Sequence, residues 1–527
     1  MPRDYVIAMG GTGARSLRAI TYLSAAGMFP NPLQVLLIDP DQNNGNSTET
    51  AATIRSYQKL HLLTQPEKPN AHDDQHLGQP TLFQLPLNCG NHPDHQPAVE
   101  DPCFWHNPNE EKRQFETVLD HGILPEELKE FLKLFYSDSD LKMQLGKGYQ
   151  GRTHIGSVAL KHDLEATANI PGLALRELIG RLYSDLQGQN EVKVFALGSV
   201  FGGTGAAGLP ILPPLLSRLV NTHQAEAQHQ PVAGGQAALG ERLRFGCAMV
   251  TPYFSLPAGP INGVSHPPAT KAALIHYANV PPEFQHAYLV GAPGLPQTND
   301  RNVEGGQKQE NSPHYVEIVA ALAALDFFGH SQIPSQLNKA KLHFADSLNG
   351  DDLGVTWQTV PISNLVRTRL EQSMVSFTTT IYLYKNFFHE HFMKKGYLAA
   401  PWYKNNFNRN NLSLETEHDT LETIDAFAVD YLAWLKSLSI QSEGVDAPKL
   451  FNVAALSAPD LNGQCLGLGN LDAGRSPRHP NDAYSEILHR LTGLKLKPAP
   501  CSSVGLLTYL LHEAVTGFCK DNYDWKS

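Results

Sequence analysis

Two short strings carry residues able to hold an anion: Gly10-Gly11-Thr12-Gly13 and, far downstream, Gly202-Gly203-Thr204-Gly205. Each follows a continuous apolar run and precedes apolar residues at helical spacing, so each reads as a strand–loop–helix turn. Glycine lets the backbone approach a phosphate closely, and the N–H groups at a helix start supply positive potential. A single loop of this kind is also an ordinary turn without a ligand. Two of them on one sheet can cradle one polyphosphate from two sides. Asp39 and Asp41 sit just beyond a second apolar run at 35–38. The stretch 41–46 suits Mg2+ or ribose contacts, and turn chemistry explains it as well.

A second reading starts from the same residues. Gly11-x-Gly13-x-x-Ser16, with Asp39 ending the next strand, comes close to a dinucleotide fingerprint. An NAD(P)- or FAD-binding oxidoreductase is therefore the alternative, although such a fold needs no second glycine loop. No G-x-x-x-x-G-K-[ST] string occurs, which disfavours a P-loop NTPase. No Ser-His-Asp or Cys-His nucleophile pattern stands out.

The elements that position these loops alternate. Strands are predicted at 6–9, 35–38, 192–197, 245–250 and 287–290, and helices from 14 to about 27, at 173–186, from 206 to 219, at 270–278 and at 314–328. Residues 1–330 thus read as an α/β domain with a Rossmann-type parallel sheet flanked by helices. Residues 43–139, rich in Asn, Gln, His, Pro and Asp, read as a polar insertion within it, and 222–240 as a polar loop. Beyond 330 the pattern changes to a divergent α+β or helical part, 331–527. A strand is expected there at 353–360, helices at 365–388, 426–435 and 504–516, and a loop at 462–482.

With the order of elements in place, a resemblance emerges. Phe201-Gly202-Gly203-Thr204-Gly205-Ala206 resembles the G-G-G-T-G-[ST] loop that wraps the phosphates in the tubulin/FtsZ superfamily. Gly10–Gly13 matches the first glycine loop of FtsZ, and Leu37-Ile38-Asp39-Pro40-Asp41-Gln42 resembles its N-T-D-A-Q segment. Gly148-Tyr149-Gln150-Gly151-Arg152-Thr153-His154-Ile155-Gly156 resembles the loop facing the γ-phosphate, and Thr251-Pro252-Tyr253-Phe254-Ser255 the ribose-side T-R-P-F-S. The helix at 314–328 then corresponds to the central helix whose first turns hold guanine. The resemblance spans roughly residues 1–330 apart from the insertion. It implies GTP or GDP with Mg2+, contacted by Gly10, Gly11, Thr12, Gly13, Asp39, Asp41, Gly151, Arg152, Gly202, Gly203, Thr204, Gly205 and Thr251. Asn311, Tyr315 and Glu317 are the candidates for the base, Tyr315 by stacking and the other two by hydrogen bonding. It also implies self-association into oligomers or filaments, with hydrolysis completed between subunits.

The chain departs from that pattern at several points. Phe201 replaces the first glycine of the signature, Ala206-Ala207 its last two positions, and Ala14 stands where the family usually has Asn. The acidic N-x-D-x-x-D motif that completes the FtsZ active site is not found. Asp346, Asp351 and Asp352 lie in the right region with the wrong spacing. Such acids would orient a water toward the γ-phosphate beside Mg2+, and solvated loop acids are the plainer reading. A slow GTPase, or a scaffold that binds nucleotide and recruits partners through the insertion or the C-terminal part, is the expectation. Cys89, His92, His95, Cys103 and His106 have zinc-ligand chemistry at a spacing that matches no known finger, in a chain with 23 histidines.

Composition bounds the rest. The 527 residues are 41% hydrophobic and 18% charged, enough for a large core, and the net charge of −11 argues against nucleic acid as a partner. No apolar stretch approaches a bilayer span, and the first residues lack a signal-peptide core. Six cysteines in a chain of this length form no disulfide scaffold. A reducing, cytoplasmic setting is expected.

Overall fold

The computed structural model describes residues 3–64, 82–83, 86–87, 103–106, 113–189, 191–228, 239–254, 266–279, 283–292, 306–307, 311–331, 333, 341–343, 362–410, 412–440, 483–494 and 502–523. The apolar runs form β1 (Asp4–Met9), β2 (Leu33–Ile38), β3 (Phe104–Trp105), β4 (Val192–Ser199), β5 (Leu243–Val250), β6 (His286–Val290) and β7 (Lys341–His343). They make one sheet in the order β3-β2-β1-β4-β5-β6-β7, with every neighbouring pair parallel. Every residue of β1, β2 and β5 is buried. That explains why they read as unbroken apolar runs rather than alternating ones.

The helices up to the end of the sheet are α1 (Gly10–Ala25), α2 (Gly45–Thr64), α3 (Phe115–Val118), α4 (Glu126–Leu132), α5 (Asp138–Leu141), α6 (Thr153–Thr167), α7 (Ala174–Gly188), α8 (Gly203–Gln228), α9 (His266–Asn279) and α10 (Tyr315–Gly329). Then come α11 (Asn364–Arg369), α12 (Val375–Leu383) and α13 (His389–Met393), joined into one rod by π-helical turns at Leu370–Met374 and Tyr384–Phe388. The last are α14 (Pro401–Asn406), α15 (His418–Ile440), α16 (Ala483–Gly493) and α17 (Ser503–Tyr523). No helix among the described residues is long and apolar enough to cross a membrane.

Two cores sandwich the sheet. On one face lie α1, α2 and α10, and on the other α6, α7, α8 and the buried side of α9. α10 is buried nearly all round, through Val316, Ile318, Ala321, Leu322, Leu325 and Phe328 among others. A helix without a polar face must be covered on every side. It therefore passes over the face opposite to α8 and α9, so the β6–α10–β7 unit has the opposite hand to β4–α8–β5, an uncommon arrangement.

Two expectations need correction. The polar segment 43–139 is not merely an insertion. Its first helix, α2, packs in the main core with Ile54, Tyr57 and Leu60 buried, and β3 pairs with Leu37 and Ile38 at the sheet edge. α2 shows little apolar periodicity in the sequence because much of its buried face is hydroxyl-bearing. Thr50, Thr53 and Thr64 each donate to the carbonyl four residues back, which satisfies them without water. Likewise, the described helices after 331 build no core of their own. Residues of α12, α15 and α17 join the cluster that contains α1 and α10. Tyr22 of α1 meets Phe427, Tyr431 and Trp434 of α15 at ring distances of 5.6, 5.3 and 4.8 Å. α8 also continues to Gln228, past the start of the expected polar loop. The strand expected at 353–360 and the loop at 462–482 lie outside the described residues.

A shared core predicts shared unfolding. Leu322→Ala, at a fully buried position of α10, is expected to cost about 2–5 kcal/mol. Far-UV dichroism should shift together with the fluorescence of Trp402 and Trp434 in urea denaturation. Two separated transitions would contradict a core shared by α1, α10 and the C-terminal helices.

Candidate functional site

β1 and β4 lie side by side at the centre of the sheet, and their following helices, α1 and α8, leave on opposite faces. This is the point where the strand order reverses, and crevices that take ligands open there, outside the carboxyl ends of the strands. Both glycine loops occupy it. α1 begins directly at Gly10, whose φ of +68° is left-handed. A Cβ placed on Gly10 would lie 3.1 Å from Thr204 Cβ and 3.7 Å from Gly205 N, so the two loops touch. A Cβ on Gly205 would sit 2.6 Å from Ser199 N, leaving no room for a side chain.

A third loop joins them. A Cβ on Gly203 would meet Tyr149 Cβ at 2.8 Å and Gly151 N at 3.0 Å, which brings the 148–152 segment against the second glycine loop. The start of α6 follows, with Gly156 packed on Ala207 of α8. Neither α1 nor α6 has a side-chain cap, and α1, α6 and α8 carry no acidic residue in their first turns. Three helix starts without acids in their first turns thus converge on one crevice, and their positive ends favour a polyanion there.

Acids and amides form one rim. Asp39 ends β2 fully buried; its carboxylate accepts from Ser47 Oγ at 2.6 Å and from the Asp41 amide at 3.2 Å. Burial, with Asp41 adding repulsion, pushes its pKa up to about 7. Asp41 accepts from the amides of Gly306 at 2.6 Å and Asn43 at 3.2 Å, and burial raises its pKa too. Asn44 Oδ1 receives the Asn46 amide at 3.0 Å, and both side chains face Gly11. Asn46 Oδ1 accepts the Asn311 amide at 3.1 Å, while Asn46 Nδ2 donates to Asn311 Oδ1 at 3.4 Å. Gly10, Gly11, Asp39, Asp41, Gly151, Gly203, Thr204, Gly205 and Asn311 therefore belong to one neighbourhood, with Gly13 and Gly202 in its loops.

Other expected contacts are directed elsewhere. Glu317 does not present its carboxylate to a base. It is buried on α10 in an ion pair with Arg15 of α1, whose Nε and Nη2 both donate to Oε1, and Tyr253 Oη donates to the same oxygen at 3.2 Å. The Arg152 guanidinium turns to Asp140 at 2.8 Å. Thr251 is bound to the Val290 carbonyl through both its amide and its hydroxyl, and Thr12 is a hydrogen-bond partner of Tyr253. Tyr315 is 5% exposed and leans on His314, with ring centres 4.5 Å apart, so one face is covered. Its hydroxyl is buried without a partner, and burial lifts its pKa to about 12. His314 caps α10 by accepting the Val316 amide on Nδ1 at 3.2 Å, and burial together with Arg15 pushes its pKa down to about 3.

Arg15, His314 and Ser47 had no local signal in the sequence. Arg15 and Glu317 are far apart in the chain, and only the packing of α1 on α10 pairs them. Asp346, Asp351, Asp352, Cys89, His92 and His95 lie outside the described residues. Cys103 is buried and disulfide-bonded, with Gln58 Nε2 at 3.6 Å from its sulfur, and is no thiolate for zinc. Cys247 is a buried free thiol. His106 packs on Phe104.

The state of Asp39 has a direct consequence. An acid whose pKa rises from 3.8 to about 7 on folding binds more protons folded than unfolded between those values. Its charge therefore opposes folding increasingly as pH rises through that window, and below it the penalty is absent. Without nucleotide or divalent cation, Asp39→Asn is expected to be more stable than the native chain at pH 8 by roughly 1–3 kcal/mol. The advantage should vanish near pH 4. Thermal melts across this range check it, and a difference independent of pH would refute it. In comparisons with known proteins, no family model and no curated protein matches this chain.

Proposed function

We propose that this protein binds a guanine nucleotide in the manner of the tubulin/FtsZ superfamily, with the polyphosphate lodged between the two glycine loops. The observation that carries this reading is the contact of Gly10 with Thr204 and Gly205, beneath three helix starts that carry no acid in their first turns. Two loops in contact enclose a phosphate chain from both sides, and the 148–152 loop adds a third wall. The buried helix α10 after β6 also suits this superfamily.

Mg2+ fits the acidic rim. Asp41 offers hard carboxylate oxygens and Asn44 an amide oxygen, and the repulsion between Asp41 and the buried Asp39 is what a cation relieves. When bound, the ion would neutralise charge on the phosphates. Asn46 and Asn311, which hold each other, and the unpartnered Tyr315 hydroxyl are the groups for the ribose or base. Hydrolysis would be slow. Self-association, filaments and the recruitment of partner proteins are part of the same proposal.

The alternative, an NAD(P) or FAD enzyme, shares the 3-2-1-4-5-6 strand order. It requires the acid that ends β2 to meet a ribose. Asp39 is instead 2% exposed and already bonded to Ser47 and the Asp41 amide. That favours the mononucleotide reading.

Calorimetry with Mg2+ is expected to give micromolar or tighter binding of GTP and GDP and none of NAD+. Gly10→Ala, which forces a side chain into the left-handed region, should weaken binding at least tenfold, about 1.4 kcal/mol. Failure to bind either guanine nucleotide would end the proposal. If hydrolysis needs a subunit interface, turnover will rise more than linearly with protein concentration, and electron microscopy with GTP, GDP or neither should show assemblies that depend on nucleotide.

A further inference from the structure

Away from the nucleotide crevice, three imidazoles from three elements meet at one edge of the sheet. His286 opens β6, His343 ends β7, and His330 follows the last turn of α10. His286 pairs with Lys341, and Tyr288 with His343. His286 and His343 are thus diagonal neighbours on one face of the sheet. Their Nδ1 and Nε2 atoms are 3.0 Å apart, and one nitrogen from each of the three rings falls within 4.8 Å of the others.

Hydrogen bonding does not complete this cluster. A neutral imidazole has one donor and one acceptor. The His286–His343 contact uses one of each. Among the described residues, His330 Nε2 is buried with no hydrogen-bond partner. The carboxylate beside it, Asp326 one turn earlier on α10, is 3.6 Å away and already receives Tyr288 Oη at 2.7 Å. Tyr288 in turn stacks on His343 with ring centres 4.2 Å apart and planes within 10°. Lys193 donates to the carbonyls of Phe328 and His330 and so holds the turn that carries His330.

We propose that His286, His330 and His343 bind one divalent transition ion of the zinc class, with water completing the tetrahedron and the Asp326 carboxylate, 3.6 Å from His330 Nε2, balancing its charge. Zn–N bonds of about 2.0–2.1 Å in a tetrahedron set neighbouring nitrogens roughly 3.3 Å apart. The separations present, from 3.0 Å to within 4.8 Å, bracket that value and need only small ring rotations. Imidazole donors select zinc, copper or nickel over Mg2+ and Ca2+. The Tyr288–Asp326 bond orients the carboxylate, as outer partners do at metal centres. The ion would fasten the three-residue edge strand β7 to β6 and to the end of α10. This site differs in residues and chemistry from the Cys103 neighbourhood and does not depend on nucleotide binding.

The test uses the full chain without a histidine tag, stripped with chelator and then dialysed against Zn2+. Elemental analysis is expected to give one zinc per chain in the native protein and in Cys103→Ser. His330→Ala and His343→Gln should each retain at least tenfold less. Co2+ in place of zinc should give the intense visible bands of a four-coordinate site, weakened in Asp326→Asn. Zinc absent from the native chain, or unchanged in both histidine variants, overturns the proposal. Should the variants fail to fold, the cobalt spectrum of the native chain decides, and absence of four-coordinate bands overturns it.

Discussion

The closeness of two helix starts at the centre of the sheet governs this molecule. β1 and β4 are adjacent and parallel, and α1 and α8 spring from their ends with almost no intervening loop. Gly10 and Gly205 allow it, since a Cβ at Gly205 would be 2.6 Å from a backbone nitrogen. Longer loops would separate the helix ends, and their dipoles would no longer add at one place. The strand order matters for the same reason. Only where it reverses do helices leave on opposite faces and open a crevice between their first turns.

That concentration of positive potential is balanced by neighbouring groups. Asp39 and Asp41 sit beside the helix ends, where burial raises the pKa of both. Arg15, on the second turn of α1, is not left to the crevice. Glu317 binds it, and Tyr253 lies beneath its guanidinium at 5.3 Å. A buried ion pair is a poor source of stability because both charges are desolvated. Its geometric effect is clear, however: it locks the first glycine loop to the start of α10.

α10 carries that link outward. Being apolar on all sides, it must be covered, and the helices after residue 331 join its cluster. Tyr22, Phe427, Tyr431 and Trp434 tie α1 to α15 by edge and tilted ring contacts. The C-terminal helices thus pack directly on α1, whose first residues form the crevice, and on α10. The imidazole cluster stands at the other end of α10, where β7 meets the sheet.

Much of this was legible in the sequence alone. Strands buried on both faces leave unbroken apolar runs, and glycine between such a run and a helical pattern marks a close turn. The parallel sheet, both glycine loops and the long helices followed from these local signals. α2 left a weak signal because much of its buried face carries hydroxyls, which are satisfied within the helix. The pairing of Arg15 with Glu317, the turning of Arg152 to Asp140 and the meeting of His286, His330 and His343 join residues distant in the chain or set by side-chain direction. No local pattern encodes such contacts. They exist because the sheet order and the path of α10 bring those positions together, and only the tertiary structure decides that.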